Sequence, residues 1–237
     1  IRASDTYVTK DFLGLGNFDA IHVTGSIGVE FRQVAGNSAS VSAYGSDNVL
    51  EFLVVENKNG ALTVSLRRNV NLRGDHRLVV MVTGPAINEG HVTGSGDLHI
   101  PGSLDGGDIS FKVTGSGKVE VGRLIAGKLA VSIAGSGDVV INECVAKNVY
   151  GTVTGSGDIR LLAGNAAYAE YNVRGSGDIR AFVMRAEKVM ATVSGSGNVE
   201  CSAKTGLEAN VSGSGRIIYE GNAVVRNNGK KESVIMR

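Results

Sequence analysis

The chain has 237 residues and a net charge of +1, and 42% of its residues are hydrophobic against 20% charged. This composition excludes an intrinsically disordered chain, and the balance of 24 basic and 23 acidic residues gives no indication of nucleic-acid binding. Because tryptophan is absent and aromatic residues make up only 5%, the sequence is also poor in side chains that stack on bases or sugars.

Residues 1–90 are predicted to be β structure that begins a stack of strands and covers its first open edge. Residues 18–33 alternate apolar and polar positions around a glycine, as one irregular coil would. Two apolar runs within 49–68 flank Asn59-Gly60, a pair typical of a two-residue hairpin turn. Residues 77–82 predict a further strand, ended by a Gly-Pro pair. Since open strand edges promote aggregation, we expect this region to act as a cap.

Residues 91–220 repeat the tripeptide Gly-Ser-Gly at intervals of 18 to 21 residues. The first glycines of the tripeptides are Gly94, Gly115, Gly135, Gly155, Gly175, Gly195 and Gly213. Around each of them apolar residues occupy alternate positions, as Val153, Ile159 and Leu161 do around Gly155. Period-two alternation predicts strands with one buried face. A unit of this length cannot bury its inward side chains alone, whereas coils stacked about 4.8 Å apart can.

The sequence therefore predicts an all-β fold, a parallel β-helix or solenoid with coils of about 20 residues and an N-terminal cap containing a β-hairpin. The crossover rule favours right-handed winding. A propeller would need blades of roughly 40 residues or more, and the leucine pattern of leucine-rich repeats is absent. Residues 221–237 are polar and then briefly apolar, and they are predicted to form a C-terminal tail or cap.

The repeated Gly-Ser-Gly is predicted to turn a corner of each coil. Glycine accepts positive φ and lets neighbouring backbones come close, and serine can bond to local backbone groups. A phosphate-binding loop would have to open a helix, and no helical periodicity follows any copy. The seven glycines are therefore interpreted as structural.

The residue that follows each Gly-Ser-Gly is often acidic, which gives the candidate binding face. In a stack, these carboxylates would form a ladder, and arginines two residues further on would face the same way. The candidate residues are Asp97, Asp138, Asp158, Arg160, Asp178 and Arg180. A carboxylate ladder could bind Ca²⁺ or resemble the acidic groups of β-helical lyases and glycosidases, but the arginines can neutralise it. Equivalent exposed acids also lack the asymmetry of a catalytic pair, so no catalytic residue is predicted.

Neither the histidines nor the cysteines form a recognisable metal pattern. His22, His76, His91 and His99 are scattered, and the pair His91 and His99 lacks a third ligand, so no metal site and no cofactor are predicted. Cys144 and Cys201 fall about three coils, or roughly 14 Å, apart, beyond the approximately 7 Å that a disulfide allows. Both are predicted to be reduced, with Cys201 buried.

The segment "FDAIHVTGSIGVEF", then "NGALTV", then serial "GSGDI" and "GSGNV" units resemble the family of the putative auto-transporter adhesin head domain, the head GIN domain. The resemblance covers about residues 17–220. It implies a β-helical fold, an extracytoplasmic location and an adhesive role, and it supplies no catalytic residues. Lys118 and Arg216 depart from the Asp/Asn position that follows the tripeptide, which breaks any continuous acidic ladder.

Three functional hypotheses follow. The first is a non-enzymatic exported solenoid, an adhesin or surface-binding scaffold whose ligand is a glycan or a protein. The second is a carbohydrate-active β-helix enzyme, and the third is a module that self-assembles through strand edges into homo-oligomers. The chain begins at Ile1, so we expect an export signal to have been removed, and no run of 18 apolar residues predicts a transmembrane helix.

Overall fold

The computed structural model describes residues 1–36, 38–74 and 76–237. Strands account for 71% of the chain and helix for 3%, and the strands form a β-solenoid of about seven turns. The predicted all-β solenoid is therefore confirmed.

Eighteen strands, one short helix and one 3₁₀ turn are present among the described residues. The strands are β1 (Tyr7–Phe12), β2 (Ala20–Gly25), β3 (Gly28–Gln33), β4 (Ser40–Ser46), β5 (Leu53–Lys58), β6 (Ala61–Leu66), β7 (Val79–Gly84), β8 (Glu89–Gly94), β9 (Asp97–Gly115), β10 (Lys118–Gly135), β11 (Asp138–Gly155), β12 (Asp158–Leu161), β13 (Gly164–Gly175), β14 (Ile179–Gly195), β15 (Asn198–Gly213), β16 (Arg216–Glu220), β17 (Val224–Asn227) and β18 (Val234–Met236). Helix α1 spans Asp47–Leu50, and the 3₁₀ turn spans Lys231–Ser233.

Each regular coil has three sides, because the alternation of buried and exposed residues is interrupted at three corners. In the coil that contains β10, buried residues alternate along 118–121, along 123–126 and along 128–134. We call the side before the Gly-Ser-Gly corner (128–134 here) the pre-corner face. The side after that corner (118–121) is the post-corner face, and the remaining side (123–126) is the third face.

The Gly-Ser-Gly corners stack directly on one another. Gly155 has φ +123°, and a Cβ added to it would overlap the carbonyl oxygen of Gly135 in the coil below. The last glycine of the same tripeptide, Gly157, is equally close to the carbonyl of Gly137. The backbone of one coil thus occupies the space that a side chain on the next would need, which explains why glycine fills both positions.

Equivalent side chains lie above one another along the stack. Ile159 of β12 pairs with Ile179 of β14, and both are buried. In the same way, Ala126, Ala146 and Ala166 pair in consecutive coils and line the inside of the third face. The interior is a continuous apolar column built by the inward half of every strand, and the outward half is left to form rows on the surface.

The N-terminal coils stack in an order that differs from their order in the sequence. Strand β2 lies between β6 and β8, and β3 lies between β7 and β9, all in parallel. The coil of β2 and β3 is therefore enclosed by segments that follow it in the chain. The sequence repeat identifies this coil but does not reveal that β6 and β7 form another one beneath it.

Antiparallel strands close the N-terminal end of the stack. Strand β5 forms the predicted hairpin with β6 through Asn59 and Gly60, which both have positive φ. On the other side, β4 pairs with β7, and β1 covers β4. The tail continues the opposite end, since β17 pairs with β15 and β18 with β16.

Candidate functional site

The candidate acidic residues lie in one row on the post-corner face. Asp138, Asp158 and Asp178 follow the corners of three consecutive coils. Lys118 separates Asp138 from Asp97, so the acidic row is interrupted after its first member. The Oδ1 of Asp97 accepts a hydrogen bond of 3.1 Å from the backbone N–H of Lys118.

The three consecutive carboxylates bond to the backbone of the next coil. The Oδ1 of Asp138 accepts the N–H of Asp158 at 3.1 Å, and that of Asp158 accepts the N–H of Asp178 at 3.1 Å. The Oδ1 of Asp178 accepts both the backbone N–H of Asn198, at 2.8 Å, and its side-chain amide, at 3.0 Å. One oxygen of each carboxylate therefore links successive coils.

The second carboxylate oxygens of Asp158 and Asp178 bind arginine. The Oδ2 of Asp158 accepts bonds from Nη2 of Arg160 at 2.8 Å and Nη1 of Arg180 at 2.7 Å. Arg180 also donates to Oδ2 of Asp178 at 2.7 Å. Burial acts to raise the pKa of Asp158, but the hydrogen bonds from Arg160, the backbone of Asp178 and Arg180 outweigh it, so that pKa is lowered. A Ca²⁺ ion would have to compete with these guanidinium groups for the same oxygens.

Among the described residues, the interior holds the ionisable groups of Cys144, Cys201 and Tyr171, and burial favours the neutral form of each. Cys144 and Cys201 are free and buried, as predicted for Cys201, and burial raises the pKa of each thiol to about 12. Burial likewise raises the pKa of Tyr171, whose hydroxyl donates to Sδ of Met184 at 3.9 Å. A thiol nucleophile reacts as the thiolate, which these surroundings disfavour.

Two histidines that are far apart in the sequence lie side by side on the pre-corner face. His22 on β2 pairs with His91 on β8, and their ring centroids are 5.6 Å apart. Glu89, two residues before His91, places Oε1 2.7 Å from Nε2 of His22. Burial lowers the pKa of His91, and Lys112 and His22 lower it further, against the opposite effect of Glu89.

The sequence does carry a signal for this pair. Both histidines begin the tetrapeptide His-Val-Thr-Gly and stand three residues before a corner glycine, Gly25 or Gly94. Aligning the irregular coil with the first regular one would have placed them opposite each other. Proximity in the sequence instead suggests a pair of His91 and His99. His99, however, lies on the post-corner face beside Glu30, away from His91 on the pre-corner face.

Two tyrosines also project outward from the pre-corner face. The rings of Tyr150 and Tyr168 lie 6.2 Å apart on adjacent coils, and the ammonium of Lys128 lies 5.6 Å from the centre of the Tyr150 ring. Tyr171 and Tyr219 occupy inward positions, where Tyr171 is buried and Tyr219 packs against the core. In the sequence, Tyr150 stands between two inward positions of its strand, and this alternation indicates that its ring faces outward.

The N-terminal cap contains a concave surface. A cleft of about 380 Å³ is lined by residues 11–18 and 38–42. It holds none of the acidic or arginine residues of the predicted face. In the part of the chain that the structure describes, no helix has the length and apolar character needed to cross a membrane.

The fold and its surface define a β-solenoid with an apolar interior and regular outward rows of polar side chains. Residues 17–223 match the family described as "Putative auto-transporter adhesin, head GIN domain", and the chain belongs to this family. The resemblance inferred from the sequence motifs is thus confirmed. No curated protein matches the chain.

Solved structures with the same fold include three from Parabacteroides species. A putative lipid binding protein from Parabacteroides distasonis has 26% identity and a TM-score of 0.91, with 100% of this chain and 99% of that chain covered. A putative adhesin from the same organism has 24% identity and a TM-score of 0.92, with 100% and 98% covered. A putative adhesin from Parabacteroides merdae has 22% identity, a TM-score of 0.92 and the same coverage. The last two comparisons establish the shared fold.

Proposed function

We propose that the protein is an exported, non-enzymatic binding module that attaches to a glycan or protein on another surface through its post-corner face. The observation that carries this proposal is that the solenoid buries its apolar side chains and leaves its polar side chains on the surface. The interior is apolar, and Ser46 is the only buried residue of the polar or charged classes among those described. The polar groups stand outside in rows that repeat once per coil, a geometry suited to an extended ligand.

The post-corner face supplies fixed hydrogen-bond donors. The side chains of Arg160 and Arg180 are 36% and 40% exposed, while their ion pairs with Asp158 and Asp178 hold their positions. Guanidinium groups present several N–H donors in a planar fork that suits carboxylate or sulfate groups. Because part of each fork remains exposed, the pair can contact an anionic group of a ligand without losing its support.

The same geometry disfavours the enzymatic alternative. Asp138, Asp158 and Asp178 each use one oxygen in a bond to a backbone N–H of the next coil, and Asp158 and Asp178 also bind arginine, contacts that favour the charged carboxylate. An acid–base pair requires two carboxyl groups whose surroundings push their pKa values apart. His22 and His91 lie on the pre-corner face and both cysteines are buried, so none of these four residues adds a nucleophile to the row.

Charged edge strands disfavour assembly of solenoids end to end. Strand β1 exposes Lys10 and Asp11 at one N-terminal edge. At the other edge, β5 carries Glu56 and Lys58, which form an ion pair of 2.6 Å. Charges on edge strands oppose pairing with another copy. We therefore prefer the binding module over the self-assembling scaffold.

This function can be tested by applying the labelled protein to arrays of glycans and matrix proteins. A parallel assay measures whether sugars are released. We expect saturable binding without release of reducing ends or unsaturated sugars. Arg160→Gln combined with Arg180→Gln should abolish it, whereas Arg123→Gln on the third face serves as the matched control. Sugar turnover would overturn the non-enzymatic proposal, and unchanged binding by the double variant would overturn the choice of face.

A further inference from the structure

The strongest unassigned cluster consists of His22, Glu89 and His91 on the pre-corner face. Each of the three offers one ligand atom, and these atoms all lie within 4.8 Å of one another. Two strands position them: β2 carries His22, and β8 carries Glu89 and His91 two residues apart, hence on the same face. The cluster lies on a regular parallel sheet, so its backbone geometry is fixed by hydrogen bonds on both sides.

The separation of the ligand atoms is close to what a tetrahedral ion requires. With metal–nitrogen and metal–oxygen distances of about 2.0–2.2 Å, tetrahedral ligand atoms lie about 3.4 Å apart. The Nε2 of His22 and the Oε1 of Glu89 are 2.7 Å apart and must separate slightly. The ligand atom of His91 lies within 4.8 Å of both, so it need approach by no more than about 1.4 Å. The side chains of His22 and Glu89 are 35% and 47% exposed, so small rotations can make these adjustments.

We propose that His22, Glu89 and His91 bind one divalent ion of the Zn²⁺ type, with a fourth coordination position facing solvent. Two imidazoles and one carboxylate form a ligand set that suits Zn²⁺ and related transition metals, whereas Ca²⁺ and Mg²⁺ select sets made of oxygen. The open position would hold water or a donor atom from another molecule. The inference is independent of the proposed binding of a surface ligand, which uses the post-corner face.

The neighbours of the cluster define its surroundings. Thr63 on β6 pairs with His22 on one side, and Lys112 on β9 pairs with His91 on the other. The Oγ1 of Thr93 lies 3.3 Å from Nε2 of His91, where it can orient the ring as outer partners of metal ligands commonly do. Lys112 is the one positive charge in this row beside the cluster, and it opposes cation binding.

Isothermal titration of the untagged, chelator-treated protein with Zn²⁺ tests the assignment. We expect one ion per chain, loss of that binding in His22→Ala and in His91→Ala, and unchanged binding in the control His99→Gln. Titration with Ca²⁺ should show no binding at this cluster. Circular dichroism is expected to show the wild-type strand spectrum for all variants, because each substituted side chain projects outward.

Two further measurements keep the assignment open to refutation. Co²⁺ should give the visible absorption of a four-coordinate site in the wild type and lose it in Glu89→Ala. Lys112→Gln should tighten Zn²⁺ binding by about two- to fivefold, the modest effect of removing one exposed like charge. Absence of Zn²⁺ uptake by the wild type, uptake unchanged in the folded histidine variants, or affinity unchanged in Lys112→Gln would each overturn the assignment.

Discussion

The N-terminal and C-terminal parts of this solenoid use the same coil but stabilise it differently. From β9 onward, successive coils pair in register, so corner glycines and inward apolar residues recur in every coil and hydrogen-bonded aspartates recur in three consecutive ones. In the first 90 residues, coils stack out of chain order and end in antiparallel strands. The regular coils are thus stabilised by equivalent residues in the coils above and below, whereas the cap is stabilised by particular side chains that cover an open strand edge.

The largest expected effect comes from changing the number of residues per coil in the regular part. Deleting residues 116–135 joins Gly115 to Ser136 and removes one complete coil, so later residues remain in phase. We expect this variant to fold cooperatively. Deleting only residues 116–125 should prevent folding, because every later residue would lose its stacking partner. We expect the free energy lost in this way to exceed the total stability of a domain, which is about 5–15 kcal/mol. Circular dichroism and thermal melts separate the two outcomes, and equal behaviour would refute the coil length.

A pair of glycine substitutions compares the two regions directly. Gly155 has a positive φ and lies against the carbonyl of Gly135, whereas Gly25 has φ +97° with no atom within 4 Å of an added Cβ. Gly155→Ala should therefore cost about 3 kcal/mol, from backbone strain and overlap, and Gly25→Ala about 1 kcal/mol from strain alone. Chemical denaturation measures both. Equal costs would show that neighbouring corners are not in contact.

A smaller effect is expected from the aspartate bonds of the regular part. Because the pKa of Asp158 in the folded protein is below its ordinary value of 3.8, the charged carboxylate stabilises the fold above that pH. This stabilisation should disappear as the pH falls through the folded-state pKa. Asp158→Asn should lose about 1 kcal/mol at neutral pH and show a weaker loss of stability in acid. An unchanged acid profile would contradict the role assigned to Asp158.

The smallest effect is expected on the third face, where an ion pair is exposed. The Nε of Arg123 lies 3.2 Å from Oε2 of Glu143, and both side chains are about half exposed. Glu143→Gln should change the free energy of unfolding by no more than about 0.5 kcal/mol. Denaturation alongside Asp158→Asn tests this ranking, which would be wrong if Glu143→Gln cost more than Asp158→Asn.

The sequence predicts the regular coils well because each residue there has an equivalent neighbour at a fixed distance along the chain. Ile159 and Ile179 are one repeat apart, and period-two alternation places both inside. The packing of the interior is less predictable. The ring of Tyr171 lies against Gly151 in the coil below, and that of Phe111 against Gly90, so at two places in one inward row an aromatic ring fills the space left by a glycine.

The cap and the candidate sites could be predicted only in part. The Asn59-Gly60 hairpin follows from local turn chemistry, but the position of β6 beneath β2 depends on contacts distant in the sequence. The row of aspartates follows from the repeat, whereas the bonds that occupy both oxygens of Asp158 depend on side-chain geometry. The cluster at His22 was missed because an irregular coil interrupts the repeat between His22 and His91.

Distances between spin labels on the outward side of the pre-corner face test the stacking most directly. Thr93, Thr114, Ala134 and Ser212 belong to one row, in which Ser212 lies six, five and four coils from the other three. Pulsed electron paramagnetic resonance between Ser212 and each of these positions should give mean separations near 29, 24 and 19 Å, about 4.8 Å per coil. Separations that fail to change by equal steps would contradict the stack of one repeat per coil.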